Sequence, residues 1–264
     1  MVVTSEDLSL ALELADIADV ITLARFRAAD LVVETKPDLT PVSEADKAVE
    51  RAVRDALGTS RPDDAVVGEE YGASGASEEG RRWIIDPIDG TKNYVRGIPV
   101  WATLLALQQG DEVTAGVVSA PALGRRWWAA RGVGAFGADG LLEEPRRLRV
   151  SAVAALEDAQ LCISGFDGWE ASAGGLEPLL ALARRCWRTR GFGDFWTYMM
   201  IAEGVAEVGC EAAVSLWDLA APQVIVEEAG GTFTDLAGVP TAGGGDALAT
   251  NGRLHAAALA IVGR

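Results

Sequence analysis

Between Val100 and Val150 the chain repeats one pattern: short apolar runs (WATLLALQ, VTAGVVSA, RRWWAA, GAFG, RRLRV) separated by Gly, Pro and Asp turns. Runs of this length bounded by turn formers are strands, and their close succession predicts an antiparallel sheet. Such a sheet must bury its apolar face against another layer, and the flanking sequence supplies helices. Ser5 to Ala29 places apolar residues at helical spacing (Leu8, Leu12, Ala15, Val20, Leu23), which predicts a long amphipathic helix. A turn-rich segment, Lys36-Pro37-Asp38-Leu39-Thr40-Pro41, follows. Ser43 then stands as N-cap of a second helix over Ala45–Leu57, ended by Gly58. Short β-like runs come next at Ala65–Val67 and Trp83–Ile85. Beyond Ser151 strands (161–164, 187–190, 205–209, 231–234) alternate with helices over Leu176–Arg184, from Asp194, near Asp218–Ala229 and after Asn251. The expectation is a layered α/β architecture in one domain, 1–264. Its first lobe, 1–150, has two long helices and an antiparallel sheet; an α/β lobe, 151–264, follows.

Nearly half the residues are apolar and 23% are charged, a globular composition. The formal net charge of −16 argues against nucleic acid, whose binders present a basic face to phosphates, and against an anionic membrane surface. An acidic protein that handles phosphate needs cations as intermediaries, although acidic surfaces also serve solubility alone. Cys162, Cys186 and Cys210 cannot all pair and read as reduced core residues. The N-terminal stretch MVVTSEDLSLALELAD has no basic region leading into an apolar run, and no apolar segment reaches about 18 residues. A cytoplasmic protein is expected, with no nucleic-acid or membrane partner.

The strongest local signal is Trp83-Ile84-Ile85-Asp86-Pro87-Ile88-Asp89-Gly90-Thr91. An apolar strand runs into two carboxylates three apart, then a glycine and a hydroxyl, at the kind of strand end where functional groups concentrate. Pro87 stiffens the turn, Gly90 lets backbone amides approach an anion, and Thr91 opens the next helix. Two aspartates on such a turn suit hard cations, while Asp-Pro and Asp-Gly are also ordinary turn formers. Phosphatases that form an aspartyl-phosphate use Asp-x-Asp, whereas this pair is Asp-x-x-Asp. A second signal is Val66-Val67-Gly68-Glu69-Glu70, where paired glutamates are more often a solvated face. A third is Leu216-Trp217-Asp218-Leu219-Ala220-Ala221-Pro222, where Asp218 reads equally as a helix N-cap.

Taken together, WIIDPIDGTKNYVRGIP, the Gly-Glu-Glu segment, WDLAAP and KPDLTPVSEAD resemble the inositol monophosphatase family over nearly the whole chain. The resemblance implies a sugar-phosphatase-type αβαβα fold, a homodimer, and hydrolysis of a small phosphate monoester with two to three Mg²⁺ ions per active site. It implies Glu69, Asp86, Asp89 and Asp218 as Mg²⁺ ligands, with Ile88 contributing its backbone carbonyl. Gly90 and Thr91 fall where the family holds phosphate. Thr91 and Asp46 match the pair that orients and deprotonates the attacking water, with Glu69 beside them in the catalytic set. Arg190 falls in a substrate-contacting segment, and Asp218 also borders the substrate. Asp46 stands three residues after Ser43 and reads equally as the N3 member of a capping box. Lys36 is either a solvated lysine or a partner of nearby acids. The lone histidine, His255, sits in a helix-like run near the C-terminus, so a phosphohistidine or a His-based triad is not expected.

Within the family, Trp187-Arg188-Thr189-Arg190-Gly191-Phe192-Gly193-Asp194-Phe195-Trp196 resembles the branch of actinobacterial type that hydrolyses L-histidinol phosphate, a step of histidine biosynthesis. So do Pro99-Val100-Trp101-Ala102, the segment around Arg126-Trp127-Trp128, and Ala249-Thr250-Asn251-Gly252-Arg253. That substrate carries an ammonium group and an imidazole, and the expected acidic partners are Asp194 and Glu211. Asp194 also reads as the N-cap of its helix. Inositol 1-phosphate is the alternative substrate, and a cation-binding scaffold without catalysis is the alternative of another class. The indoles of Trp127 and Trp128 are expected at a subunit contact.

Overall fold

The computed structural model describes residues 5–37, 39–75, 80–139 and 144–264; Asp38, part of the turn-rich segment expected from the sequence, lies outside them. Helix α1 (Ser5–Arg25) stops short of Ala29, because Arg27 takes a left-handed φ of 62° that no α-helix continues. A hairpin of β1 (Val33–Thr35) and β2 (Pro41–Ser43) leads into α2 (Glu44–Ser60), which runs through Gly58. A glycine inside a helix costs about 1 kcal/mol. Burying Val49, Val53 and Leu57 on one face of α2 outweighs that, at roughly 1.5–3 kcal/mol for each large aliphatic side chain.

The chain continues through β3 (Ala65–Gly68), β4 (Gly72–Ser74), β5 (Arg81–Asp89), the single turn α3 (Thr91–Val95), β6 (Ala102–Gln109), β7 (Glu112–Ala120), β8 (Arg125–Ala130), β9 (Gly134–Asp139) and β10 (Arg146–Arg147). These strands form an eight-stranded sheet in the order β10-β9-β8-β7-β6-β5-β3-β4. Every neighbouring pair is antiparallel except β3 and β5, which run parallel with Gly68 opposite Ile85. The sheet is therefore wider than the antiparallel segment expected from 100–150, and mixed. A second group follows: β11 (Gln160–Cys162), α4 (Asp167–Ala171), α5 (Glu177–Arg185), β12 (Arg188–Arg190), α6 (Asp194–Ala202), β13 (Val208–Glu211), α7 (Leu216–Glu228), β14 (Thr232–Thr234), β15 (Ala247–Thr250) and α8 (His255–Val262). Its strands make a five-stranded sheet, β12-β11-β13-β15-β14, in which β11 is parallel to both neighbours.

Alternate side chains of the large sheet enter different cores. Ile84, Leu104, Ala106 and Val118 pack with Phe195, Tyr198, Leu219 and Val224 of α6 and α7. Trp83, Ile85, Leu105, Leu107 and Val117 pack with Leu10, Leu14, Val49 and Val53 of α1 and α2. Burial on both faces is why these strands read as nearly continuous apolar runs. The small sheet has its own core against α5 and α8, so the layers run αβαβα. Helix α7 presses so closely on β7 that a Cβ on Gly116 would stand 2.7 Å from Val224 Cγ1 and 2.9 Å from Ala221 Cα. Only glycine permits that approach. Trp127 lies in this core, 1% exposed and 6.0 Å from the Phe195 ring, rather than at a subunit contact. Half-buried Trp128 stacks on Phe136. Cys162 and Cys210 are buried, Cys186 is half-buried, and all three are free thiols. Among the described residues no helix is long and apolar enough to cross a membrane.

Candidate active site

Three helix starts and two parallel strand ends converge on one cleft of about 860 Å³. Strand β5 delivers the first acids. Its register with β6 slips between Asp86 and Asp89, and this irregularity around Pro87 turns both carboxylates toward the cleft floor. The parallel partner β3 ends beside it, and the Glu69 N–H donates to the Ile85 carbonyl at 3.2 Å. Helix α7 brings Asp218 in its first turn. Asp218 is not the N-cap but the N3 acid of the cap: its Oδ2 accepts the Ser215 N–H at 2.7 Å. Carboxylate oxygens of Asp86, Asp89 and Asp218 lie within 4.8 Å of one another.

Glu69 stands next to this trio and is paired with Lys36, whose ammonium donates to Glu69 Oε1 and Glu70 Oε1, both at 2.7 Å. Burial works against the Lys36 charge, and the hydrogen bonds to Glu69 and Glu70 outweigh it and raise its pKa. The sequence left the role of Lys36 open; here it is the counter-ion of the Gly-Glu-Glu turn. That turn is anchored from behind by Glu50, fully buried, which accepts the Glu70 N–H at 2.7 Å and the Tyr71 N–H at 3.2 Å. A Cβ on Gly68 would collide with the Glu50 carboxylate at 2.0 Å.

Asp46 serves in two places at once. Its Oδ2 accepts the Ser43 N–H at 2.8 Å, which is its half of a capping box, and in addition the Ser43 hydroxyl at 2.6 Å. Its Oδ1 lies 3.3 Å from the Thr91 hydroxyl, which donates to the Ile88 carbonyl at 2.9 Å. The cap and the contact with Thr91 are compatible because a carboxylate has two oxygens. Gly90, at φ 82°, opens α3, and a side chain there would meet Asp194 Oδ2 at 3.2 Å.

Helix α6 closes the far wall. Its N-cap is Gly193, not Asp194, and the Phe195 N–H donates to Asp89 Oδ2 at 2.6 Å. Asp194 takes a left-handed φ of 52°, and Asn93 Nδ2 donates to its Oδ2 at 3.2 Å. Glu211, at the end of β13, receives the Tyr198 hydroxyl on Oε2 at 2.8 Å and the Ser164 hydroxyl on Oε1. Phe192 and Trp217 line the same cleft. Arg190 does not reach it. It is exposed on β12, the edge strand of the small sheet, and donates to the carbonyl of its neighbour Thr189 at 2.8 Å. Asn93, Ser164 and Tyr198 carry no signal in the sequence. Their contacts with Asp194 and Glu211 join segments between 13 and 101 positions apart.

Every acid in the cleft whose titration is displaced is pushed upward. Burial comes first for Asp86 and Asp89, both held well above the usual carboxylate range; Glu69 then adds most to Asp86, and Asp194 to Asp89. Burial lifts Asp218 to about 6 against the Ser215 N–H that lowers it. It lifts Asp46 to about 6 and Glu211 to about 8. Burial and then Glu211 also hold the Tyr198 phenol well above its ordinary value, so it is the donor of that pair. Asp86 Oδ1 is buried with no hydrogen-bond partner, which a native structure tolerates only for a reason. All-oxygen donors, mutual repulsion and an orphaned carboxylate oxygen fit a hard divalent cation. Asp86, Asp89 and Asp218 are the residues present to hold it.

A sequence profile of the inositol monophosphatase family matches residues 4–263. The chain is 56% identical over 254 residues to a histidinol-phosphatase of Streptomyces coelicolor, covering 95% of this chain and 94% of that one. It is 55% identical to a histidinol-phosphatase of Mycobacterium tuberculosis, covering 95% of each. The crystal structure of the extragenic suppressor protein SuhB from Bartonella henselae superimposes with a TM-score of 0.87 at 28% identity, covering 98% of each chain. Layered fold and acidic cleft together define an enzyme that hydrolyses phosphate monoesters. The chain belongs to the inositol monophosphatase family, whose members depend on a metal, typically Mg²⁺.

Proposed function

We propose that this chain is a histidinol-phosphatase, converting L-histidinol phosphate and water to L-histidinol and phosphate in histidine biosynthesis. The observation that carries the reading is the pair of acids on the wall facing the carboxylate trio. Asp194 and Glu211 line the cleft beyond Gly90 and Thr91, where the organic portion of a bound ester would extend. An ammonium group answers their repulsion with a positive charge as well as hydrogen bonds, whereas an inositol ring offers neutral hydroxyls and no cation. Phe192 and Trp217 supply aromatic faces for the imidazole. The identity to two histidinol-phosphatases over nearly the full chain supports the same substrate.

Asp86, Asp89 and Asp218 would hold Mg²⁺, with Glu69 and the Ile88 carbonyl completing a set for two to three ions. Bound there, the metal would neutralise phosphate oxygens and acidify a water. The rest falls to the chain's own groups. Gly90 and Thr91 receive the phosphate, with Asp218 at its edge. Asp46 takes a proton through the Thr91 hydroxyl and thereby aims a water at phosphorus. Phosphoryl transfer asks mainly for such positioning and charge stabilisation. The whole chain, 1–264, acts as a single catalytic domain, cytoplasmic and homodimeric; sedimentation velocity checks the dimer. The deciding experiment is kcat/KM for L-histidinol phosphate beside inositol 1-phosphate. A preference for the first of at least about 10–100-fold is expected from a charged contact, and a preference for the second assigns the chain to inositol 1-phosphate.

A further inference from the structure

We infer that the Tyr198 hydroxyl, paired with that of Ser164, is the positioning group that makes the cleft select a phosphate ester bearing an ammonium group, by holding the Glu211 carboxylate in one orientation. The inference rests on the histidinol-phosphatase reading and takes it one residue further. Each oxygen of Glu211 is taken by a different hydroxyl, Oε2 by Tyr198 at 2.8 Å and Oε1 by Ser164. One donor on each oxygen restricts the carboxylate's rotation, and its remaining lone pairs are left for a ligand in the cleft that Glu211 lines. The Ser164 hydroxyl also accepts the Asp194 N–H at 2.9 Å, so one small side chain ties the two acids of this wall together.

Tyr198 is itself fixed. Its ring is 1% exposed, packs 5.7 Å from that of Phe233, and belongs to the buried face of α6. A glutamate left free at the edge of an open cleft loses rotamer freedom each time it captures a cation. One already clamped does not, and preorganisation of this kind appears as affinity. The Tyr198 hydroxyl gives its one proton to Glu211 and not to Asp86, Asp89 or Asp218, so its effect should follow the amine of the substrate and not the phosphate. If Tyr198 served only to satisfy a buried phenol, its loss would reduce turnover of every ester alike.

The test compares L-histidinol phosphate with 3-(imidazol-4-yl)propyl phosphate, which lacks only the amine. The Mg²⁺-loaded full-length enzyme is used as wild type, Tyr198→Phe, Glu211→Gln and the double variant. Phenylalanine keeps the ring and its packing, and melting curves check folding. Tyr198→Phe should lower the ratio of the two kcat/KM values by about 10-fold, through KM for the amine-bearing substrate. On the Glu211→Gln background it should lower the ratio no further, because the two residues act as one unit. An unchanged ratio in Tyr198→Phe, with wild-type preference intact, overturns this inference alone. So does an equal additional fall in the double variant. A wild-type enzyme indifferent to the amine overturns the ammonium site and this inference with it.

Discussion

Two acidic regions of this molecule are built on opposite terms. Around Glu203, whose side chain is 6% exposed, every charge is answered. Arg125 and Arg146 pair with its Oε1, Trp127 donates its indole N–H at 2.7 Å, and Asp139 engages the far sides of both guanidiniums. Around Asp86 the neighbours are acids: Asp89 and Asp218 within reach, Glu69 close enough to raise its pKa, and one oxygen with no partner. The first region braces β8, β10 and α6 and does nothing else visible. In the second the fold holds like charges together at a cost, and burial with repulsion keeps that cost high until a cation arrives. A buried acid with matched partners is structural; one surrounded by its own kind is held for a ligand.

The sharpest way to break that contrast is Asp89→Asn. It should cost several orders of magnitude in kcat/KM, since one of the three carboxylates that would hold the metal is lost. It should leave the metal-free melting temperature unchanged or higher, since repulsion is relieved. A large loss of stability would put Asp89 in the same class as Glu203. Next in size, Thr91→Ala should lower kcat by roughly 10²–10⁴-fold and raise KM less, as expected of one element of proton transfer. If kcat does not move, Thr91 only opens α3.

Glu203→Ala should behave in the opposite sense, losing about 3 kcal/mol in urea unfolding because the buried Trp127 N–H loses its acceptor and Arg125 and Arg146 are left with Asp139 alone, with kcat per folded molecule retained. A catalytic defect there without destabilisation would erase the distinction between the two regions. The last effect concerns pH. Asp218 is raised from 3.8 to about 6 and Glu211 from 4.5 to about 8. The folded state therefore keeps protons that the unfolded chain has already lost, and metal-free stability declines as pH rises from about 4 toward 8. Saturating Mg²⁺ should flatten that slope by taking the protons' place at the trio. Equal slopes in EDTA and in Mg²⁺ would show that no cation relieves the cluster.

How far the sequence reaches depends on the distance over which each feature is decided. The Asp86–Thr91 turn, the second helix with its cap at Ser43, and the strand run from 100 onward are legible because neighbours in the chain settle them. Asp46 and Asp218 are legible as residues near helix starts. Whether such an acid only caps depends on what faces its second oxygen: Thr91 for Asp46, and the trio for Asp218. Asp194 reads as a cap, yet Gly193 occupies that place and the carboxylate turns to Asn93. Arg190 reads as a cleft residue, yet it rides an exposed edge strand, and edge position is a property of sheet order alone.

By itself, then, the sequence determined the alternation of elements and the turn chemistry of Asp86–Thr91, each of which follows from residues a few places apart, while the acidic donor set came from family resemblance. The tertiary structure decided which of those acids meet. The parallel pairing of β3 with β5 sets Glu69 beside Asp86, the start of α6 crosses 106 positions to bind Asp89, and α7 spans the large sheet to add Asp218. It also decided that Trp127 is core and that Tyr198 grips Glu211. Such pairings are stabilised by burying two faces of one sheet at once, a cooperative property of the whole chain that no local spacing records.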